Sequence, residues 1–242
     1  VRLLPEPTQN SIMQKMYRYL REHSQFRVRQ NMIKVISGAE EGIFGWLTIN
    51  YLLQQLESGK NTSITIDMGG ASTELAVELQ TDNQIEHSYS IQIGRKTINL
   101  FSYSYSSYGS DTANSAVDDY FFNIHNSSDL IRNPCYFNNY TKTYRNRTFI
   151  GTGNLLECSN GIQKVLLDNS NFTDVSIPSL DSFQKVYAIS TFSYVRSFLN
   201  LSTQLQLSDI KAAFQKLEKK TIDEINDMFC TIDNVPEYNL DF

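Results

Sequence analysis

Between residues 64 and 79 the chain reads ITIDMGGASTELAVEL, two apolar runs interrupted by an acid, two glycines and a serine. Glycine pairs make tight hairpins because glycine reaches φ > 0 without steric cost, so a plain surface turn accounts for the interruption. The same residues have a second use. A turn that bares backbone N–H groups, with Asp67 at its mouth and Ser72 behind it, can hold a phosphate and its divalent cation. A second acidic, glycine-rich spot is SGAEEGIFGW at 37–46, where Glu40 and Glu41 stand at a strand-to-helix junction. Acids in a first helical turn gain about 0.3–1 kcal/mol from the helix dipole, which explains either glutamate without any catalysis. Gly42 and Gly45, however, cost that helix about 1 kcal/mol each relative to alanine. A helix start that is acidic and glycine-rich can let a substrate approach a general base. The residue types leave both readings open.

Other candidates carry less. His23, His87 and His125 show no metal-ligand spacing and no triad partner. The cysteines form no CxxC. GTGN at 151–154 suits a phosphate loop or a helix cap equally, and the aromatics of FSYSYSSY (101–108) read as loop packing. Tyr194, just past a strand-to-helix junction, can stack a base or fill a core.

The elements that must position these residues follow from period. Thr8–Gln25 has helical spacing, with Ile12, Met16, Tyr19 and Leu20 on one face. Met32–Ile36 reads as a short strand and residues 40–56 as a second helix. Strands flank the glycine turn, a third covers Glu86–Ile93, and 102–145 reads as long loops around a short helix near Ala113–Phe122. Thr148–Ile150 and residues 185–190 are strands, the latter running into the helix TFSYVRSFL, and a last helix spans Ser208–Phe229. Strands alternating with helices predict an α/β class.

Composition narrows the setting. A net charge of −5 and a pI near 5.3 exclude the basic surface that nucleic-acid binding needs. No apolar run reaches the roughly 18–20 residues of a membrane span. Six Asn-x-Ser/Thr sequons, at Asn61, Asn126, Asn139, Asn146, Asn171 and Asn200, point to the secretory route. Of three cysteines, Cys135 and Cys158 can pair across an Asn-rich loop, which leaves Cys230 odd. The chain opens on VRLLPEP without a start methionine and reads as a fragment.

Taken in order, these stretches resemble the ecto-nucleoside triphosphate diphosphohydrolase (apyrase) family. SGAEEGIFGWLTINYLL at 37–53 is similar to its third signature motif and IDMGGASTEL at 66–75 to its fourth, usually written DLGGASTQ. YAISTFSYV at 187–195 is a looser match to the fifth. NPCYF (133–137) and GTGNLLEC (151–158) resemble the family's disulfide pair, which implies Cys135–Cys158. The resemblance covers essentially the whole chain. It implies an actin-like (RNase H-like) two-lobed α/β fold, with residues 1–60 as the end of the first lobe and an inter-lobe helix. Residues 61–232 would form the second lobe, and 233–242 would begin a return segment.

The resemblance also implies roles. Glu41 matches the general base and Ser72 the serine that orients the attacking water. Asp67 matches the acid that holds Ca²⁺ or Mg²⁺ through water. Gly69, Gly70, Ala71, Ser72 and Glu74 match the phosphate-binding stretch. Arg95 matches an arginine at the base, and Ser190, Thr191 and Tyr194 the rim where the base stacks. Together they imply cation-dependent hydrolysis of nucleoside tri- or diphosphates by activated water, which needs no nucleophilic side chain. The expected location is the secretory pathway or cell surface, with membrane anchoring through segments outside this chain; oligomeric state is left open.

Two departures qualify this. Glu74 stands where the family usually carries Gln, adding negative charge beside the water and the phosphates. The family's first motif, a DAGSTGT-like loop, has no match, and VRLLPE resembles the stretch immediately after the second motif. Activity of these 242 residues alone is therefore not expected. The alternative is a non-catalytic apyrase-like component of an extracellular assembly. A phosphohydrolase of the exopolyphosphatase branch is a third reading, opposed by the sequons and the disulfide.

Overall fold

The computed structural model describes residues 1–57, 61–80, 85–125, 129–167, 175, 177–178 and 185–230. The chain is mixed α/β. Helix α1 (Glu6–His23) opens on Pro5 and buries none of its residues. A 3₁₀ turn, Gln30–Met32, stands at the start of the expected strand. Among the described residues, 33–37 have no strand partner and form no strand, since a strand exists only where its N–H and C=O groups meet a partner's. Helix α2 (Gly38–Leu52) starts at a capping box: Ser37 Oγ accepts from the Glu40 N–H while the Glu40 carboxylate accepts from the Ser37 N–H.

Strands β1 (Ile64–Met68) and β2 (Ser72–Glu78) flank the glycine turn, followed by β3 (Ser88–Ile93) and β4 (Lys96–Ser106). After helix α3 (Ser110–Ile124) come β5 (Leu130–Asn133), β6 (Thr141–Tyr144), β7 (Arg147–Gly151) and helix α4 (Leu155–Leu167). Strand β8 (Val186–Ser190) then leads directly into α5 (Thr191–Phe198), α6 (Leu207–Leu217) and α7 (Ile222–Cys230). One sheet has the order β3-β4-β2-β1-β8 and the other β5-β7-β6. β3 and β4 are antiparallel, with Ser88 opposite Phe101 and Ile93 opposite Lys96; β5 and β7 are parallel.

Two further expectations fail here. The stretch 102–145 is largely regular, carrying the end of β4 together with α3, β5 and β6. FSYSYS alternates aromatic and serine with period two, a strand signal that overrides the loop-like composition. The single C-terminal helix is two, because Thr221 and Glu224 form a reciprocal cap that starts α7 afresh.

Contacts divide the chain into two compact units. The first comprises the described parts of Val1–Thr65, Glu74–Ser104 and Ser182–Tyr187; the second, those of Ile66–Thr73, Tyr105–Asp181 and Ala188–Phe242. In the first, Ile43 and Trp46 of α2 pack with Ala76 of β2 and with Ile98 and Leu100 of β4. A large apolar side chain contributes about 1.5–3 kcal/mol by leaving water. The buried Asn50 side chain donates to the Ser63 carbonyl and accepts from the Ser63 N–H, pinning α2 to the entry of β1. The core of the second unit is Val117, Phe121, Ile131, Tyr136 and Phe149. Cys135 and Cys158 are joined there by a disulfide, Cα to Cα 4.8 Å. No described helix is long and apolar enough to cross a membrane.

Candidate active site

The two glutamates at the start of α2 have different fates. Glu40 is committed to the capping box and to Lys34, 2.5 Å away. The Lys34 hydrogen bond, then the Ser37 backbone, lower its carboxyl from the ordinary range to about 2. Successive helical residues point about 100° apart, so Glu41 leaves in another direction. It is half-buried and its Oε2 lies 2.6 Å from Arg2 Nη1.

The same guanidinium reaches a second acid. Arg2 Nη2 is 3.6 Å from Glu74 Oε1, and Ser104 Oγ donates to that oxygen at 2.6 Å. Glu74 is only 2% exposed. Glycine makes the approach of α2 to these strands feasible. A Cβ on Gly42 would sit 2.5 Å from Ser102 Oγ, and one on Gly38 would overlap Ser104 Cβ at 2.3 Å. Ser102 Oγ also donates to the Ala39 carbonyl. The glycine at 42, expected to admit substrate, admits the protein's own sheet; Gly45 faces open space.

In the second unit, Asp67 is half-buried on β1 and Ser72 is buried at the first position of β2. Between them the Gly69 N–H donates to the Ser72 carbonyl, closing the turn. Neither Gly69 nor Gly70 has a positive φ. A Cβ on Gly70 would lie 2.5 Å from Oδ2 of the exposed Asp111, the end of a side chain that can swing aside. The entry to α3 clamps the turn from outside. The N–H groups of Ser110 and Asp111 donate to the carbonyls of Gly69 and Gly70, and the Ser107 N–H donates to the Ala71 carbonyl. Thr73 Oγ1 donates to the Tyr108 carbonyl at 2.6 Å. A Cβ on Gly109 would lie 2.4 Å from backbone atoms of Gly70 and Ala71. With their carbonyls engaged on that side, these peptides are held by residues 107–112, a stretch that composition assigns to a loop. The Gly69 N–H is spent on Ser72, so a turn of this kind would bind an anion through its other backbone N–H groups.

The remaining predicted residues are also placed. Arg95 is exposed in the β3–β4 turn of the first unit, beside Gly94 with φ +58°. Ser190, Thr191 and Tyr194 lie at the β8–α5 junction of the second unit. Ser190 holds φ +61°, ψ −117°, a sparsely populated conformation for a serine, and Tyr194 is 56% exposed. GTGN proves to be a cap: Asn154 Oδ1 accepts the Glu157 N–H. Asn61 and Asn200 are exposed and Asn139 and Asn146 stand in turns with positive φ, whereas Asn126, Asn171 and residues 233–242 lie outside the described residues, as does the Cys230 side chain.

Sequence reasoning missed Arg2, Ser104 and Gly109. Ser104 was available from the alternation of FSYSYS; Arg2 was not, because only the fold brings residue 2 to residues 41 and 74. A cavity of about 510 Å³ in the second unit, walled by Phe137, Phe198, Phe214 and the disulfide, is lined by none of the predicted catalytic or phosphate-binding residues.

Among the described residues no group of three carboxylate, histidine or cysteine side chains is placed to hold a metal ion. A hard cation that keeps most of its waters fits a single oxygen donor such as Asp67, because Mg²⁺ commonly rests on one or two carboxylates plus substrate phosphates.

A family model described as the GDA1/CD39 (nucleoside phosphatase) family matches residues 1–238. The chain is 31% identical to the Golgi apyrase of Schizosaccharomyces pombe over 202 residues, 75% of this chain and 35% of that protein. It is 25% identical to ectonucleoside triphosphate diphosphohydrolase 1 of Bos taurus over 230 residues, 77% of this chain and 44% of that one. A crystal structure of nucleoside triphosphate hydrolases from Neospora caninum superposes with a TM-score of 0.66 at 13% identity. That superposition covers 91% of this chain and 57% of its counterpart, and the shared fold is the actin-like α/β fold. The chain spans less than half the length of the two curated relatives.

Proposed function

This chain belongs to the GDA1/CD39 (nucleoside phosphatase) family, and from that premise we propose that the protein containing it hydrolyses nucleoside tri- or diphosphates by direct attack of water. Residues 61–232 are taken as the bulk of its second lobe. Glu41 accepts the proton of the attacking water and Ser72 orients that water. The Gly69–Ala71 peptides hold phosphate oxygens. Asp67 holds Ca²⁺ or Mg²⁺ through water, and the ion supplies neutralisation of charge on the phosphoryl group. Arg95, Ser190, Thr191 and Tyr194 contact the nucleobase.

The observation that carries this reading is the divergence of the two glutamates. Glu40 is consumed by capping, whereas Glu41, in the same first turn, takes no part in the cap and is ordered by Arg2 instead. Secretory location is supported by the sequons and by the Golgi and ecto-enzyme relatives.

A second reading draws on Glu74. A buried negative charge in the fourth motif fits a family member kept as a non-catalytic component of an extracellular assembly. Phosphate release from ATP, ADP, GDP and UDP, with Mg²⁺ or Ca²⁺ and with EDTA, separates the two. Metal-dependent release that collapses in Glu41→Ala is expected; no release from folded, metal-loaded, full-length protein would leave the non-catalytic reading standing.

A further inference from the structure

We propose that Arg2 is the positioning residue of Glu41 and that buried Glu74, with Ser104, fixes Arg2 in turn. The inference rests on the nucleotidase reading above and deepens it. Its core is one guanidinium facing two carboxylates: Nη1 lies 2.6 Å from Glu41 Oε2 and Nη2 3.6 Å from Glu74 Oε1.

An exposed arginine–glutamate pair has little worth, about 0–1 kcal/mol, because two long side chains must be held in one geometry. Here the geometry is set from one end. Glu74 is 2% exposed and on a core strand, so it cannot swing into water. The Ser104 hydroxyl holds its Oε1 at 2.6 Å, and Ser104 itself packs against Gly38 at the start of α2. The guanidinium is a planar, rigid fork, so contact with Glu74 on one nitrogen dictates where the other points. The main chain at Arg2 is tied down as well: Gln9 Nε2 donates to the Arg2 and Leu4 carbonyls. Every link from the sheet to the Glu41 carboxylate is therefore specified.

Arg2 engages Glu41 Oε2, which leaves Oε1 as the oxygen without the guanidinium on it and the better placed to take the proton. The charge of Glu74, a departure from the Gln of the motif it resembles, is offset by Arg2, so the two residues act as a pair. In this chain Glu74 serves as an anchor for the cation. The resemblance gives its position a different use, as part of the phosphate-binding stretch.

The experiment uses the protein at its full native length with Mg²⁺, comparing wild type with Arg2→Gln, Arg2→Lys, Glu74→Gln and the Arg2→Gln/Glu74→Gln double variant. kcat, KM and the thermal midpoint are measured for each. Loss of orientation in Arg2→Gln is expected to lower kcat about 10- to 100-fold with KM within about threefold. Arg2→Lys recovers only part of this, because an ammonium does not present the fork. Glu74→Gln gives a smaller loss, and the double variant is no worse than Arg2→Gln, since both act through one guanidinium. An unchanged kcat in Arg2→Gln, a rise in KM alone, multiplying losses in the double variant, or a loss that merely follows the folded fraction would each overturn the proposal. Wild-type protein that releases no phosphate overturns the nucleotidase reading and this inference together; active wild type with an indifferent Arg2 overturns this inference alone.

Discussion

Among the described residues each compact unit buries one acid, and the two are neutralised in different ways. Asp118 in α3 is 1% exposed and collects donors that all converge on it: Tyr136 OH at 2.8 and 2.9 Å, Asn133 Nδ2 at 2.9 Å and Lys142 Nζ at 3.4 Å. Lys142 also donates to Tyr136 OH at 3.1 Å, which closes the cluster on itself. Even so, burial pushes the Asp118 carboxyl above its ordinary range. Glu74, equally buried, takes a hydroxyl and the longer arm of an arginine whose shorter arm goes to the half-buried Glu41. A cation whose contacts all end inside a core cross-links that core. A cation that ends on a solvent-accessible acid transmits the core's rigidity to a group that can react.

The largest expected effect tests the outer end of that second arrangement. Glu41→Ala should cost about 10²- to 10⁴-fold in phosphate release, the usual worth of a general base, while moving the thermal midpoint by less than about 2 °C. A large fall in midpoint with modest loss of turnover would make Glu41 structural and erase the contrast. Next comes the closed cluster. Asp118→Ala strands the Tyr136 and Asn133 donors in the core and should destabilise the protein by about 3 kcal/mol in urea unfolding, without altering turnover per folded molecule. A cost under about 1 kcal/mol would show that the cluster holds little together.

Reduction of Cys135–Cys158, which closes a 23-residue separation, should cost a similar or slightly smaller amount, about 3 kcal/mol by the loop-entropy account. Gly109→Ala must push back the Gly70–Ala71 backbone, at about 1–3 kcal/mol as overpacking. It should also weaken nucleotide binding, read as a raised KM, because the turn itself moves. An unchanged KM would detach the clamp from the site.

The smallest effect is in pH. The folded-state value of Asp118 is raised, so its contribution is complete below its unfolded value of 3.8 and is lost as pH rises through the folded one. Glu40 is lowered to about 2, so its contribution is present above 4.5 and is lost as pH falls towards 2. Relative to wild type, Asp118→Asn should therefore gain stability as pH rises above 3.8. Glu40→Gln should lose it above 4.5 and match wild type near pH 2. Urea midpoints across that range check both signs.

Much of this was legible without coordinates. The D-M-G-G-A-S turn between β-branched runs, the E-E-G helix start and the strand-into-helix at residues 185–198 are local signals. Local geometry depends on neighbours a few residues away, so the residue order carries it. The T-x-x-E box at 221–224 and the FSYSYS alternation were equally local but masked by composition: a long amphipathic run hid a cap, and serine and tyrosine imitated a loop.

What only the tertiary structure decided concerns pairs distant in sequence. No period or motif couples Arg2 to Glu41 and Glu74, Gly109 to Gly70, or Asp118 to Lys142. Those couplings arise when strands and helices stack and bring their side chains within about 3 Å, where desolvation and hydrogen bonding act. The sequence thus determined which elements form and which chemistry they offer. The packing decided that Glu41 is held by a cation and that the glycine at 42 makes room for a sheet, because each outcome depends on what fills the space beside the residue.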